Sequence, residues 1–131
     1  MLHTAYDNRT TDITLTLLDS YGDPLVIDTT GTSDTVRVKI GKGRDTPLLD
    51  LSSAAATTNG SSVTISTQGG ETLGQVVVRL EQRDVAASLW PGVFDMETTL
   101  VDESDSSKLK NYLTDELAVI ATQSGNTGLT S

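Results

Sequence analysis

The 131-residue chain has no cysteine, one histidine, one tryptophan, one phenylalanine and three prolines. Each shortage closes off some chemistry. Without cysteine there is no disulfide, no thiolate nucleophile and no Cys-ligated zinc. His3 alone cannot furnish an ordinary intrachain histidine metal site, and it makes a His-dependent nucleophilic triad a poor reading. Carboxylate-only hydrolysis is the enzymatic option that remains. Basic residues are scarce as well: 9 Lys and Arg stand against 18 Asp and Glu, a formal charge of −9. That balance argues against nucleic acid and against an anionic membrane surface as partners. Lys42, Arg44, Arg79 and Arg83 are too scattered along the chain to form a phosphate-binding stripe. No apolar run approaches the roughly 18 residues of a membrane span. Residues 1–8 lack the basic start and apolar stretch of a signal peptide, so synthesis in the cytoplasm is expected.

What the chain does have is threonine and serine, about a quarter of all residues. Alanine, leucine, glutamate and lysine are too sparse for a helix-rich composition, so strands and turns are favoured. The local patterns agree. Ile13, Leu15 and Leu17 alternate with Thr14 and Thr16, the two-residue period of a strand with one buried face. Turn formers at residues 19–24 then predict a hairpin return through Leu25, Val26 and Ile27. Val36, Val38 and Ile40 alternate with Arg37 and Lys39, and a one-residue slip would bury both cations, so this strand should have one register. Pro47 cannot donate to a ladder and marks a strand beginning or an edge near Leu48, Leu49 and Leu51.

Asn59-Gly60 is a turn pair leading to a short strand at residues 63–66. Val76, Val78 and Leu80 form the next inner face, with Val77 and Arg79 outside. Val85, Ala86 and Leu89 fall at helical spacing and predict one or two helical turns crossing the end of the sheet. Trp90-Pro91-Gly92 stops that turn. Phe94, Met96 and Leu100 then point inward and Asp95 and Glu97 outward, with Trp90 and Phe94 filling the core where the turn meets the sheets. Residues 102–107 read as an acidic hairpin loop, residues 108–113 as a short strand and residues 117–122 as the last strand.

This pattern predicts an all-β, immunoglobulin-like β-sandwich of seven to nine short strands with one short helical turn. A small closed barrel is the alternative architecture. The expected organisation is an N-terminal arm at residues 1–10, a sandwich at 11–122 and a flexible C-terminal tail at 123–131.

No residue group demands a cofactor, a metal or a catalytic role. His3 lies in the expected arm and reads as a tail histidine. Asp95 with Glu97, or Asp102 with Glu103 and Asp105, could offer oxygens to Ca²⁺, but the loop lacks EF-hand spacing and solvated carboxylates explain both sets. Gly41-Lys42-Gly43-Arg44 has glycines and positive charge without the phosphate-cradle spacing, so it reads as a basic turn. Asn8-Arg9-Thr10 and Asn59-Gly60-Ser61 match the N-glycosylation pattern, as chance allows in a chain so rich in hydroxyls. Tyr6, Tyr21 and Tyr112 are the aromatics a carbohydrate platform would need, although they are dispersed in the sequence.

The progression from Asp12-Ile13-Thr14-Leu15-Thr16-Leu17-Leu18-Asp19, through Val36-Arg37-Val38-Lys39-Ile40 and Asn59-Gly60-Ser61-Ser62-Val63-Thr64-Ile65, to Val93-Phe94-Asp95-Met96-Glu97 resembles small immunoglobulin-like domains in minor structural proteins of tailed bacteriophages. The N-terminal domains of baseplate upper proteins belong to this group. The resemblance covers roughly residues 11–122. Its most distinctive stretch is Asp84-Val85-Ala86-Ala87-Ser88-Leu89-Trp90-Pro91-Gly92-Val93-Phe94-Asp95, a polar helical turn followed by a small residue, an aromatic and Asp. The alanine- and threonine-rich loop at residues 53–58 and the polar tail depart from the group.

The likeness implies a non-enzymatic component of the virion, in the tail, neck or baseplate. Such a component would dock onto other virion proteins and copies of itself or position a fibre, with edge strands as the natural contact. It carries over no catalytic residue. Capsid decoration and a glycan-binding or adhesion module are the alternative roles.

Overall fold

A computed structural model describes residues 1–6, 9–29, 34–42, 47–54, 60–81, 92–105 and 108–120. Within them the alternating segments become strands: β1 Leu2–Tyr6, β2 Thr11–Thr16, β3 Asp34–Gly41, β4 Leu49–Ser52, β5 Ser62–Ile65, β6 Gln75–Leu80, β7 Gly92–Asp102 and β8 Lys108–Ile120. They form a five-stranded sheet in the order β1-β8-β7-β3-β4 and a three-stranded sheet in the order β2-β6-β5. Consecutive strands thus repeatedly change sheets, from β2 to β3, from β4 to β5 and from β6 to β7. Placing β2, β6 and β5 opposite β3, β7 and β8, with β4 added to the larger sheet, is the connectivity of an immunoglobulin-type sandwich. Both sheets keep open edges, so the barrel alternative does not apply.

The core forms between the inner faces because each strand sends alternate residues to one side. Ile13, Leu15, Val76, Val78 and Leu80 line the smaller sheet, and Val36, Val38, Ile40, Leu51, Met96, Leu100 and Leu117 line the larger one. Burial of each such side chain favours folding by about 1.5–3 kcal/mol before entropy is charged against it. The residues expected inward on β2, β3, β6 and β7 are all inward, Phe94 included. Thr98 takes the remaining inner position of β7, where its buried hydroxyl has no hydrogen-bond partner.

The structure differs from the sequence reading in several places. The expected arm contains β1, which pairs in parallel with β8 from Leu2 opposite Glu116 to Tyr6 opposite Ile120, burying Ala5. The two strands expected at residues 108–113 and 117–122 are one 13-residue strand, β8, up to Ile120. Neither Gly nor Pro lies between them, and Asp115 is an inward residue of the ladder, opposite Met96. Leu25, Val26 and Ile27 do not form a strand. The hairpin return is limited to one antiparallel bridge, Leu18 with Pro24, in which the Leu25 amide donates to Leu17 O and the Asp19 amide to Asp23 O, both at 2.8 Å. The Ile27 amide then donates to Gln68 Oε1 at 3.1 Å, so the pairing does not extend into a strand.

Among the described residues the one helical turn is a 3-10 turn at Gly70–Thr72, between β5 and β6. The helical turns expected near residues 81–89, the role of Trp90 and the tail at 123–131 lie outside the described residues, apart from Glu81, which follows β6 and is not helical.

Gly74 lies tight against the backbone of Leu17 and Leu25. Its φ is +75°, and an added Cβ would meet Leu17 O at 2.8 Å and Leu25 O at 2.9 Å, both backbone atoms that cannot swing aside. At Gly22, φ is +86° but a Cβ would meet nothing within 4 Å. Gly74→Ala is expected to lower unfolding free energy by about 2–4 kcal/mol and Gly22→Ala by only about 1 kcal/mol, as read by urea denaturation. Equal losses would contradict the close approach.

Candidate interaction surfaces

The clearest polar anchor is at β1. Asp115 shares strand parity with Leu113, Leu117 and Val119, so the pleat directs its carboxylate inward. It is 6% exposed; its Oδ1 accepts from the Met1 ammonium at 3.0 Å and its Oδ2 lies 3.1 Å from His3 Nε2. The Met1 carbonyl accepts from the Glu116 amide at 3.0 Å. His3, expected to be a tail histidine, is therefore a half-buried structural residue fastening an edge strand.

A second polar cluster closes one end of the sandwich. The Asp34 side chain is 1% exposed, and its Oδ2 accepts from Lys110 Nζ at 2.9 Å and from the Asp28 amide at 2.7 Å. Its Oδ1 is buried without a hydrogen-bond partner. Asp34 lines an open cleft of about 650 Å³ together with Thr35, Ser53, Val63, Thr64 and Glu103. Nearby, Asp102 Oδ1 accepts from the amide and hydroxyl of Ser104, and these bonds hold its carboxyl below the ordinary aspartate value, helped by the charge of Lys110. The acidic turn thus spends this carboxylate on its own geometry, and the Lys110 ammonium compensates Asp34. No group of three or more His, Cys, Asp or Glu among the described residues is arranged to hold a metal ion.

The third surface is the outer face of the five-stranded sheet. The register aligns Asp50, Lys39, Glu97 and Thr114 in one row across β4, β3, β7 and β8, and Ser52, Arg37, Thr99 and Tyr112 in the next. Asp95 and Glu116 face each other in the row beyond. Tyr112 OH donates to Glu97 Oε1. Arg37, Lys39, Glu97, Thr99, Val101 and Leu109 are among the residues lining a shallow groove of about 350 Å³. Both Arg37 and Lys39 are exposed. Among the described residues neither forms an ion pair, unlike Arg79, which is paired with Asp12, and Lys110, which is paired with Asp34. Exposed apolar residues flank the charged rows, with Leu109 and Tyr112 toward one end and Val93, Ile120 and Tyr6 toward the other.

The remaining candidates read from the sequence do not assemble into a site. Asp95 and Glu97 share the outer face of β7, where Glu97 accepts from Tyr112 OH. Lys42 sits 5.1 Å from the centre of the Phe94 ring, so this part of the basic turn covers the core edge; Gly43 and Arg44 lie outside the described residues. Asn8 and Asn59 are likewise outside them. Tyr6 and Tyr112 stand at opposite ends of the sheet, and Tyr21 projects from the turn after β2, 89% exposed. The three tyrosines therefore do not form a common platform. Asp34 and Asp115 were missed as buried acids, although for Asp115 the parity with Leu113 and Leu117 was a usable signal. No helix among the described residues is long and apolar enough to cross a membrane. No family model and no curated protein matches the chain.

Two outcomes test these anchors. Asp115→Ala is expected to cost roughly 1–3 kcal/mol and to speed hydrogen exchange of the β1 amides while leaving β7 protected; unchanged β1 exchange would contradict the anchor. The Arg79 guanidinium donates to both oxygens of Asp12, at 2.8 and 3.0 Å, and holds that carboxyl below its ordinary value. The stabilisation should be complete above about pH 4 and lost as pH falls through the depressed folded-state value. An NMR titration should show a low Asp12 midpoint that Arg79→Ala returns to the ordinary range.

Proposed function

We propose that this chain is a non-enzymatic structural component of a tailed-phage particle, in the tail, neck or baseplate, and that it works by docking. The observation that carries the docking reading is the outer face of the five-stranded sheet. In a protein of net charge −9, it presents two exposed cations, Arg37 and Lys39, beside exposed apolar side chains. The buried carboxylates of Asp115 and Asp34 each accept from an ammonium group of the same chain and serve as internal anchors. Assignment to a phage particle rests on the resemblance of the strand segments and of residues 84–95 to the immunoglobulin-like domains of minor virion proteins.

The mechanism is repeated complementary contact. A single small interface is weak, but symmetric copies arranged around a ring or trimer engage together, so avidity replaces area. The chain is made in the host cytoplasm and carried in the virion in this reading. Capsid decoration would use the same physics at another address.

Mass spectrometry and cryo-electron microscopy of purified particles made from the genome encoding this chain test the proposal. The chain should be present at a fixed stoichiometry, with density for its sandwich in the tail, neck or baseplate. Its absence from purified particles, or its presence only on the capsid shell, would overturn that placement.

A further inference from the structure

The register on the outer face has a property that goes beyond general docking: its charges complement themselves. Lys39 on β3 lies directly across from Glu97 on β7. A two-fold axis running along the strands between β3 and β7 would place Lys39 of one copy over Glu97 of a second copy, and Glu97 of the first over Lys39 of the second. A two-fold contact requires this reciprocity. The same operation sets Arg37 over Thr99, diagonal to Glu97. A partner bearing a uniformly acidic patch would satisfy Lys39 and Arg37 but would oppose Glu97, Asp95 and Glu116 on the neighbouring strands. A uniformly basic partner would have the reverse fault. A second copy answers both.

We propose that the outer face of the five-stranded sheet is a self-association surface on which a second copy of this chain packs face to face, with Lys39 and Glu97 exchanging partners across the two-fold axis. The inference names the surface through which the proposed docking works and rests on that reading only for its place in the particle. Size is consistent with a specific contact. Strands about 4.8 Å apart and about 3.3 Å long per residue give the face roughly 700 Å², near the about 800 Å² per partner of ordinary interfaces. The exposed Tyr112 and Leu109 at one end and Val93 at the other supply apolar area, while the charge rows set register and reject wrong arrangements. Overall charge opposes close approach of two copies, and these pairs offset that repulsion locally.

Sedimentation velocity across chain concentrations tests this on the full chain. The expected result is a reversible dimer with a Kd of roughly 10–100 μM. Lys39→Glu and Glu97→Lys should each weaken self-association by about tenfold or more, because every substitution enters the interface twice. Mixing the two variants in equal amounts should restore association, as only the mixed pair recovers both complementary contacts.

Lys39→Glu places three acids side by side across β4, β3 and β7, which loads the fold itself. Arg37→Glu, whose cross-strand neighbours are Ser52 and Thr99, gives a second probe that should weaken the dimer while leaving thermal stability near that of the parent. A parent chain that stays monomeric at about 1 mM overturns the inference, as do variants that dimerise undiminished or a mixture that fails to recover. Such a result would leave a docking role in the particle standing, and absence from the particle would leave the dimer standing, so the two failures are distinguishable.

Discussion

The meeting of two alternating faces in one aliphatic core is the constraint on which the rest of this molecule depends. There is no disulfide to hold the sheets together, and the core uses few aromatics. Aliphatic side chains at every second position must therefore hold the register. β7 makes the point: Phe94, Met96, Thr98 and Leu100 go into the core, which leaves Asp95, Glu97 and Thr99 no choice but the outer face. The arrangement of surface charge is thus a consequence of where the apolar residues had to go. Even the buried hydroxyl of Thr98 follows from this, since its position is set by the pleat and not by any partner for its oxygen.

Electrostatically the chain divides its few cations among distinct tasks. Lys110 neutralises a buried aspartate, Arg79 clasps Asp12 across the β2–β6 pair, and Lys42 lies over the Phe94 ring. A buried carboxylate without a countercharge would be costly, so Asp34 could not occupy its place without Lys110. The exposed pair on β3 has no comparable internal task. On a strongly acidic surface, such residues shape encounter and orientation more than stability.

Strand identity was legible wherever alternation was strong. Val36, Val38 and Ile40, or Val76, Val78 and Leu80, could be assigned to an inner face from their spacing alone. β1 was not legible because Ala5 is its one fully buried residue and its partner, β8, lies more than a hundred positions away in sequence. β8 was read as two strands because an inward Asp115 looks like an interruption until His3 is beside it. Leu25, Val26 and Ile27 look like a strand, and the return does begin with the Leu18–Pro24 bridge, but the Ile27 amide turns to the Gln68 side chain and the pairing goes no further. For the outer face, parity showed that Arg37, Lys39, Asp95 and Glu97 point outward. It could not show that β3 and β7 become neighbours, since that pairing is a property of the whole topology.

The parallel pairing of β1 with β8 has a mechanical consequence. Every other strand pair among the described residues is antiparallel, but these two run in the same direction side by side. The chain enters β1 at one end of the pair and leaves β8 at the other. Tension applied across those two points slides the strands past one another instead of peeling them apart. Their interstrand hydrogen bonds then carry the load together, so rupture must break them as a group, and the Asp115 contacts to β1 resist the same displacement. A fold assembled through side-chain alternation thereby acquires a built-in resistance to being pulled along its length.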